Sequence, residues 1–406
     1  MIDWSPEQQM MAQAVREFVD AEVVPIREEL EHGGLAPYDV LRKYVRTFGI
    51  DEMARERFGR DTPLSAEERY DRAVMTLLPM VALCRQCPGL VTAMGVSMNL
   101  AGNAIVRQGT PEQAERWGLP LQTMEKVGAW AITEPDSGSD AFGGMRSTAR
   151  RTDGGFVLNG SKTFITNGPY ADTIVFICRL AEEGADGRRP IVTFVLDSGT
   201  EGLVQSKPFK KMGLSSSPTG ELALSDVFVP ADRLLGGEPA PRPTGGAKAK
   251  GSGGSGGARA AFASERASVA AMALGIIEQC QATAVDYARH RVQFGQRIGD
   301  FQLIQAKLAT MEVARINVQN LLFRYLGLIR EGQSLTFAEA SAMKLYSARA
   351  ATEVALEAVQ VLGGNGYMSE FHVEQLARDA KVLQIYAGTD EIQITAIAKD
   401  LLGPAS

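Results

Sequence analysis

Residues Trp130 to Asp140 read Trp-Ala-Ile-Thr-Glu-Pro-Asp-Ser-Gly-Ser-Asp. Three apolar residues run into a threonine and then a Pro-Asp-Ser-Gly-Ser turn, which can present backbone N–H groups and hydroxyls with little steric cover. Such a turn suits a phosphate or the polar edge of a ring. Taken alone such a turn is more often a plain surface loop, so the weight falls on what accompanies it. Downstream, Gly160 to Gly168 reads Gly-Ser-Lys-Thr-Phe-Ile-Thr-Asn-Gly, Gln360 to Tyr367 reads Gln-Val-Leu-Gly-Gly-Asn-Gly-Tyr, and Ile385 to Gln393 reads Ile-Tyr-Ala-Gly-Thr-Asp-Glu-Ile-Gln. Metal and nucleophile chemistry find no comparable grouping. His32, His290 and His372 are scattered without metal-ligand spacing. Cys84 and Cys87 form a Cys-x-x-Cys, but no second pair or neighbouring histidine completes a zinc site, and the sequence predicts no metal.

These stretches must be positioned by a chain of 406 residues, too long for one ordinary core, so two or three domains are expected. With 45% hydrophobic and 22% charged residues the composition is that of a globular protein. The net charge of −6 argues against a nucleic-acid surface, and no long apolar run suggests a membrane span. Four cysteines are too few for a disulfide framework. The N-terminal stretch lacks the basic-then-apolar pattern of a signal peptide, so a cytoplasmic location is expected.

Ser5-Pro6-Glu7-Gln8 is a helix start, with a serine cap, proline at the first helical position and glutamine placed to close a capping box. Met11, Ala14, Val15, Phe18 and Val19 then recur at helical spacing, and further helical patterns run to about residue 125. After Val127 the composition changes. Phe156 to Gly160 and Thr163 to Thr166 flank the Asn159–Gly160 pair, which predicts a hairpin turn. Thr173–Cys178, Ile191–Leu196 and Glu221–Pro230 read as further strands. Gly237 to Gly257 holds almost only Gly, Pro, Ala, Ser, Lys and Arg, which predicts a flexible linker. Helical periodicity returns near 258–289, 301–330, 336–362 and 371–399. The expected fold class is α+β, mostly α: an N-terminal helical domain (1–126), a middle β domain of barrel or sandwich type (127–236), the linker (237–257) and a C-terminal helical bundle (258–406).

In this order the four stretches resemble the acyl-CoA dehydrogenase family of flavoproteins, and so does Lys211-Met-Gly-Leu-Ser-Ser-Ser-Pro-Thr. The resemblance covers nearly the whole chain and fails only at the linker, which is short in the family. It implies FAD as cofactor. Trp130, Ile132 and Thr133 would line one side of the flavin ring, with Gly138 and Ser139 on the polar turn and Phe164 and Thr166 on the neighbouring strand. Arg291, Gln293, Phe294 and Gln302 resemble the family's stretch that meets the adenosine diphosphate across a subunit boundary. Gln360, Gly363, Gly364, Thr389 and Glu391 complete the cofactor contacts. Contacts made in trans imply a homo-oligomer, in the family a homotetramer. The implied activity is oxidation of an acyl-CoA to the trans-2-enoyl thioester, with electrons passed to an electron-transfer flavoprotein.

One position departs from the common pattern. Many family members carry a glutamate base directly after the tyrosine of Ile-Tyr-x-Gly-Thr; here that residue is Ala387, which accepts no proton. In the isovaleryl and long-chain branches the base instead sits on a helix of the C-terminal domain directly before an arginine, and this chain has Glu265-Arg266 at the matching place. The resemblance therefore implies Glu265 as the base, with Arg266 and Ser139 on the substrate side and Ala387 leaving room for a branched or bulky acyl group. Other readings stay open: the same chemistry on an acyl or aminoacyl group carried by an acyl carrier protein, oxygen chemistry, or a catalytically silent partner subunit of a hetero-oligomer.

Overall fold

The computed structural model describes residues 4–60, 63–184, 187, 189–237 and 255–403. The linker expected at 237–257 therefore lies, apart from its ends, outside the described residues. Ser5 caps α1 (Pro6–Phe18) as its sequence predicts: the Gln8 amide donates to the Ser5 hydroxyl, and the Gln8 side chain accepts from the Ser5 amide. The N-terminal domain continues through α2 (Tyr38–Thr47), α3 (Ile50–Arg57), α4 (Ala66–Cys84), α5 (Pro88–Gly95) and the short α6 (Asn103–Gln108), α7 (Pro111–Gln113) and α8 (Leu119–Gln122).

The middle domain is one seven-stranded sheet: β1 (Gly128–Ala131), β2 (Thr148–Thr152), β3 (Gly155–Thr166), β4 (Thr173–Leu180), β5 (Ile191–Asp197), β6 (Leu203–Gln205) and β7 (Thr219–Pro230). The strand order is β1-β4-β2-β3-β7-β6, with β5 on the other edge of β4. A bridge between Phe194 and Leu234 brings the chain after β7 back to β5, so the sheet curls toward closure.

The hairpin expected at Asn159–Gly160 does not form. Those residues sit inside the continuous strand β3, and the turn falls earlier, at Asp153–Gly154 between β2 and β3. Asn159 is instead engaged sideways, accepting from the Asp226 amide at 2.9 Å and donating to the Asp226 carboxylate at 3.0 Å across a register shift. A Cβ on Gly160 would meet Ser147 Oγ at 2.2 Å. The glycine thus serves a close approach between neighbouring segments rather than a turn.

The C-terminal domain holds α9 (Ser255–His290), the two-residue strands β8 (Val292–Gln293) and β9 (Gln296–Arg297), α10 (Gln302–Arg330), α11 (Phe337–Leu362), α12 (Val373–Lys381) and α13 (Asp390–Leu402). The helix expected over 371–399 is therefore split. Ala387 and Gly388 have φ of 52° and 86°, incompatible with a right-handed helix, and Thr389 restarts the chain as the N-cap of α13. Pro88–Gln108 and Ser264–His290 are long and apolar enough to cross a membrane. Here Leu90, Val91, Ala270 and Leu274 from these stretches belong to one core shared by the N- and C-terminal helices.

Directional contacts join the domains where apolar packing alone would leave register free. Asn167, fully buried, accepts from the Tyr38 hydroxyl at 3.1 Å and donates at 2.9 Å to the carbonyls of Ala93 and Gly128. At a second seam Arg378 donates to Glu31 at 2.6 Å and to the Met212 carbonyl at 2.9 Å, while the Leu214 amide donates to Asp379. Asp379 is 1% exposed. Burial, reinforced by the charge of Glu31, pushes its carboxyl up to about 7 from an ordinary 3.8, against the pull of the Leu214 amide and Gln375. The folded protein thus retains a proton that the unfolded chain has already released. The stabilisation linked to that proton is full below about pH 3.8 and disappears as pH rises through about 7. Asp379→Asn removes this titration. Between about pH 5 and pH 7.5 the wild type should lose roughly 2 kcal/mol of unfolding free energy relative to the variant, read from denaturant midpoints at the two pH values; parallel pH slopes would show that Asp379 does not titrate in this range.

Candidate active site

The Trp130–Asp140 turn and the Gly160–Gly168 run meet on one side of the middle sheet. The Thr163 amide donates to the Thr133 carbonyl at 2.9 Å, tying the end of β1 to β3. Trp130, Ile132, Thr133 and Thr166 are half-buried. Glu134 and Ser137 exchange backbone hydrogen bonds of 3.0 and 3.1 Å, closing a tight turn that leaves Gly138 and Ser139 exposed. A Cβ at Gly138 would find only the Thr133 methyl, at 3.9 Å. In β3 the register slips between Lys162 and Ile165, and Phe164 takes a left-handed φ of 56°. In consequence Ile165 is core while Phe164 stands 69% exposed beside Phe209. A large flat side chain held out by strained backbone, next to a polar turn with open space, is the arrangement a planar cofactor with polar edges requires.

The wall continues into the other two domains through α5. Asn167, directly after Thr166, is bonded to the Ala93 carbonyl. The preceding residue, Thr92, interacts with the Tyr386 hydroxyl, which also donates to Met272 Sδ of α9 at 3.2 Å. Ala387 follows Tyr386. Its carbonyl accepts from Gln393 Nε2 at 3.0 Å, and the Gly388 carbonyl accepts from both Gln393 (2.9 Å) and the fully buried Lys344 (2.8 Å). Lys344 Nζ also lies 3.8 Å from Asp390, which pairs with Arg349 at 2.9 Å. Two cationic or amide donors therefore hold the left-handed Ala387–Gly388 turn in place.

Glu265 lies about three turns into α9, past the first-turn amides that would favour its ionised form. Burial raises its carboxyl above the ordinary glutamate value, opposed by the charges of Arg266 and Lys344. Its own charge contributes to the rise of the Tyr386 hydroxyl, behind the larger effect of burial, so Glu265 lies within electrostatic reach of Tyr386. Arg266 is 4% exposed, with its guanidinium 4.1 Å above the Phe337 ring. A half-buried carboxyl of raised basicity thus lies within electrostatic reach of Arg266, Lys344 and Tyr386, the residue before Ala387.

The remaining candidates lie on the C-terminal domain. Phe294, at the tip of the β8–β9 hairpin, has φ of 51° and is 94% exposed, edge-on to Phe301. Arg291, Gln293 and Gln302 are exposed around it. Tyr287, one turn before Arg291, accepts from Asn365 at 3.0 Å and so brings the hairpin beside the Gly363–Gly364 turn, where a Cβ at either glycine would meet nothing within 4 Å. Gln360 is exposed on the last turn of α11. Thr389 caps α13 and Glu391 is exposed in its first turn, while Asp390 is buried against Lys344 and Arg349. The structure therefore gathers the candidates into a wall of the middle sheet, the Glu265/Tyr386/Ala387 cluster joined to it through α5, and an exposed patch around Phe294 and Gly364.

The comparisons with known proteins agree along the whole length. Residues 5–125 match the family model for the acyl-CoA dehydrogenase N-terminal domain, 129–227 that for the middle domain and 253–402 that for the C-terminal domain. The chain belongs to the acyl-CoA dehydrogenase family. It is accordingly an oxidoreductase acting on CH–CH groups, of a family that binds FAD. It is 36% identical over 404 residues to an acyl-CoA dehydrogenase of Bacillus subtilis (strain 168), covering 98% of each chain. The solved structure of butyryl-CoA dehydrogenase from Megasphaera elsdenii superposes with a TM-score of 0.83 at 32% identity, over 99% of this chain and 100% of that one. The prolyl acyl carrier protein oxidase AnaB superposes with a TM-score of 0.81 at 28% identity, over 98% and 100%.

Sequence reading overlooked Glu134, Lys162, Thr92, Asn167 and Lys344. Glu134 and Lys162 lie inside the quoted stretches, where they pass for surface charges; only the fold reveals that both are buried. For Asn167 a signal existed, since an Asn-Gly pair next to a strand favours left-handed backbone, and Asn167 has φ of 63°. Replacing it with alanine leaves buried carbonyls at Ala93 and Gly128 without that donor and puts a Cβ-only residue in a left-handed conformation. Asn167→Ala is expected to cost about 2–4 kcal/mol in unfolding free energy, measured by denaturant titration; a loss below about 0.5 kcal/mol would show that the seam relaxes around the change.

Proposed function

We propose that this protein binds FAD and removes hydrogen from Cα and Cβ of an acyl thioester, with Glu265 as the base. The single observation that carries the reading is the half-buried carboxyl of Glu265, raised above the ordinary glutamate range by desolvation and electrostatically coupled to Tyr386, the residue before Ala387 in the segment that bears the base in many relatives. The residues fit the cofactor: Gly138 and Ser139 offer unhindered amides and a hydroxyl, and Trp130, Ile132, Thr133, Phe164 and Thr166 offer flat and polar contacts for the ring. Arg291, Gln293, Phe294, Gln302, Gln360, Gly363, Gly364, Thr389 and Glu391 supply the charge, amides and aromatic plane for the nucleotide tail. We place the domain limits at 1–126, 127–236 and 258–406, with the linker 237–257 between the last two.

FAD, when bound, accepts the hydride that leaves Cβ. The chain's own residues manage the proton. Glu265 takes the α-proton; burial keeps its carboxylate basic enough to do so, and Arg266 and Lys344 keep it ionised at working pH. Ser139 and Arg266 face the thioester, and Ala387 leaves volume beside the reacting carbons that suits a branched or bulky acyl group. Exposure of Phe294 and its neighbours in a single protomer supports nucleotide contacts made across a subunit boundary, hence a homo-oligomer of the tetrameric kind typical of the family, located in the cytoplasm. An electron-transfer flavoprotein is the expected acceptor.

A second reading is motivated by the similarity to the prolyl acyl carrier protein oxidase: the same abstraction on an acyl or aminoacyl group carried on a phosphopantetheine arm. Both readings need the same Glu265 chemistry and differ in what holds the thioester. Paired reactions with free CoA thioesters and with loaded carrier protein separate them.

The base assignment is tested by Glu265→Gln. The variant should stay yellow, and anaerobic bleaching of its flavin by acyl thioester should slow by about 100-fold or more. In the wild type kcat/KM should rise with pH through a value above the ordinary glutamate range, because Glu265 must be ionised to act and its burial raises that threshold. Unchanged turnover in the variant would move the role to another acid, and a wild type that purifies colourless and takes up no FAD would sink the reading as a whole.

A further inference from the structure

Lys162 and Glu134 form an ion pair of 2.8 Å with side chains 0% and 5% exposed, at the junction of the two stretches that make the middle-sheet wall. A second Lys162 bond runs to the Ile132 carbonyl at 3.0 Å, and its ammonium lies 5.3 Å from the Phe176 ring centroid. Glu134 is used on both oxygens: one accepts from Lys162 and from the Ser147 amide at 3.0 Å, the other from the Arg146 amide at 2.6 Å. The bonds on Ile132 and Glu134 bracket Thr133, whose carbonyl takes the Thr163 amide from β3. Those on Arg146 and Ser147 close the base of the loop that carries Gly138 and Ser139.

The β3 bulge has a clear consequence here. In a regular strand Lys162 and Phe164 would share a face. The slip between Lys162 and Ile165 allows the lysine to point into the core while the phenylalanine stands out of it. The inward charge and the outward ring are thus two ends of one local distortion. Core stability does not call for such a pair, since well-packed apolar residues of similar volume do as well or better. What the pair adds is direction, through several hydrogen bonds of fixed geometry converging on the backbone of both walls.

We propose that the buried Lys162–Glu134 pair sets the separation and tilt of the walls Trp130–Thr133 and Phe164–Thr166 before the cofactor arrives, which makes Lys162 a positioning residue for FAD. This rests on the reading that FAD binds between those walls. Neither side chain meets the reacting atoms; both act through the main chain of Ile132, Thr133, Arg146 and Ser147.

The test compares deflavinated wild type, Lys162→Met and the double variant Glu134→Gln/Lys162→Met by FAD titration, following flavin fluorescence and the 450 nm absorption band. Lys162→Met should weaken FAD binding by at least tenfold and blur the vibronic shoulders of the bound flavin. The double variant, which leaves no unpaired buried charge, should fold and still bind FAD at least tenfold more weakly. Either variant folding with a dissociation constant within twofold of wild type and an unchanged band shape would overturn the proposal and leave the pair as core packing. A measurement on the wild type alone covers the case where the variants do not fold. The amides of Arg146, Ser147 and Thr163 should exchange slowly in the apoprotein and change less than twofold on adding FAD, whereas those of Gly138 and Ser139 should slow more than tenfold. Fast exchange at the first three without FAD would equally overturn it. A wild type that takes up no FAD at all would instead reject the underlying cofactor reading, a distinguishable result.

Discussion

The carboxamide of Asn167 is the interaction on which the geometry of the site depends. It accepts from Tyr38 and donates to the carbonyls of Ala93 and Gly128, so one buried side chain joins α2, α5 and the start of β1 to the end of β3. An amide offers two donors and an acceptor in a single plane, and here each has a partner. An apolar residue could fill that space but would leave buried carbonyls unsatisfied and the relative rotation of the segments unfixed. Through this contact Thr166 is set against α5, and Thr92 on α5 reaches Tyr386. The middle sheet and the C-terminal bundle are thereby referred to one helix of the N-terminal domain. The middle-sheet wall and the Tyr386–Ala387 segment are built on different domains, yet a short chain of hydrogen bonds relates them.

The turn at Ala387 has a backbone shape that does not depend on its side chain. Ala387 keeps a left-handed φ although alanine gains nothing from it. Lys344, Gln393 and the Thr389 cap hold the turn regardless of what residue 387 carries. The same Lys344 whose ammonium holds the Gly388 carbonyl contributes positive charge at Glu265. Burial alone would push that carboxyl toward protonation, and a protonated acid cannot act as base; the adjacent cations limit the rise. The turn and the carboxylate are therefore coupled through one lysine, although α9, α11 and the 385–389 segment are far apart in sequence.

Much of this was legible beforehand. The order of helical, β and helical segments, the Ser5 cap and most strand positions follow from periodicity and local chemistry. The wall residues Trp130, Thr133, Phe164 and Thr166 were marked by their stretches. What local pattern got wrong has a common cause. Asn159–Gly160 has the composition of a turn, yet the side-chain bonds of Asn159 to Asp226 and the approach of Ser147 to Gly160 decide its conformation. The expected last helix carries helical periodicity across 385–389, but the Ala387–Gly388 turn is fixed by Lys344 and Gln393 from other helices. Lys162 and Glu134 were invisible for the same reason, since a charge in a strand pattern reads as solvated until its partner is known. Each is a case of tertiary contact overriding a local preference.

Buried or half-buried charge recurs at the places where segments distant in sequence must keep register: Lys162 with Glu134, Arg378 with Glu31, and Lys344 with Asp390. None of these is an economical source of stability, because desolvation offsets most of the attraction. Their common property is that a displaced partner leaves an unsatisfied charge in a medium of low polarity, so small slips are penalised steeply where an apolar contact would tolerate them. Apolar cores are therefore suited to the interiors of the helical layers, where leucine and alanine pack on many near-equivalent neighbours. Charged pairs are suited to seams whose alignment sets a reaction geometry. In this fold the shared helical core supplies the cohesion, and the charged pairs fix the alignment of the segments that meet at its edges.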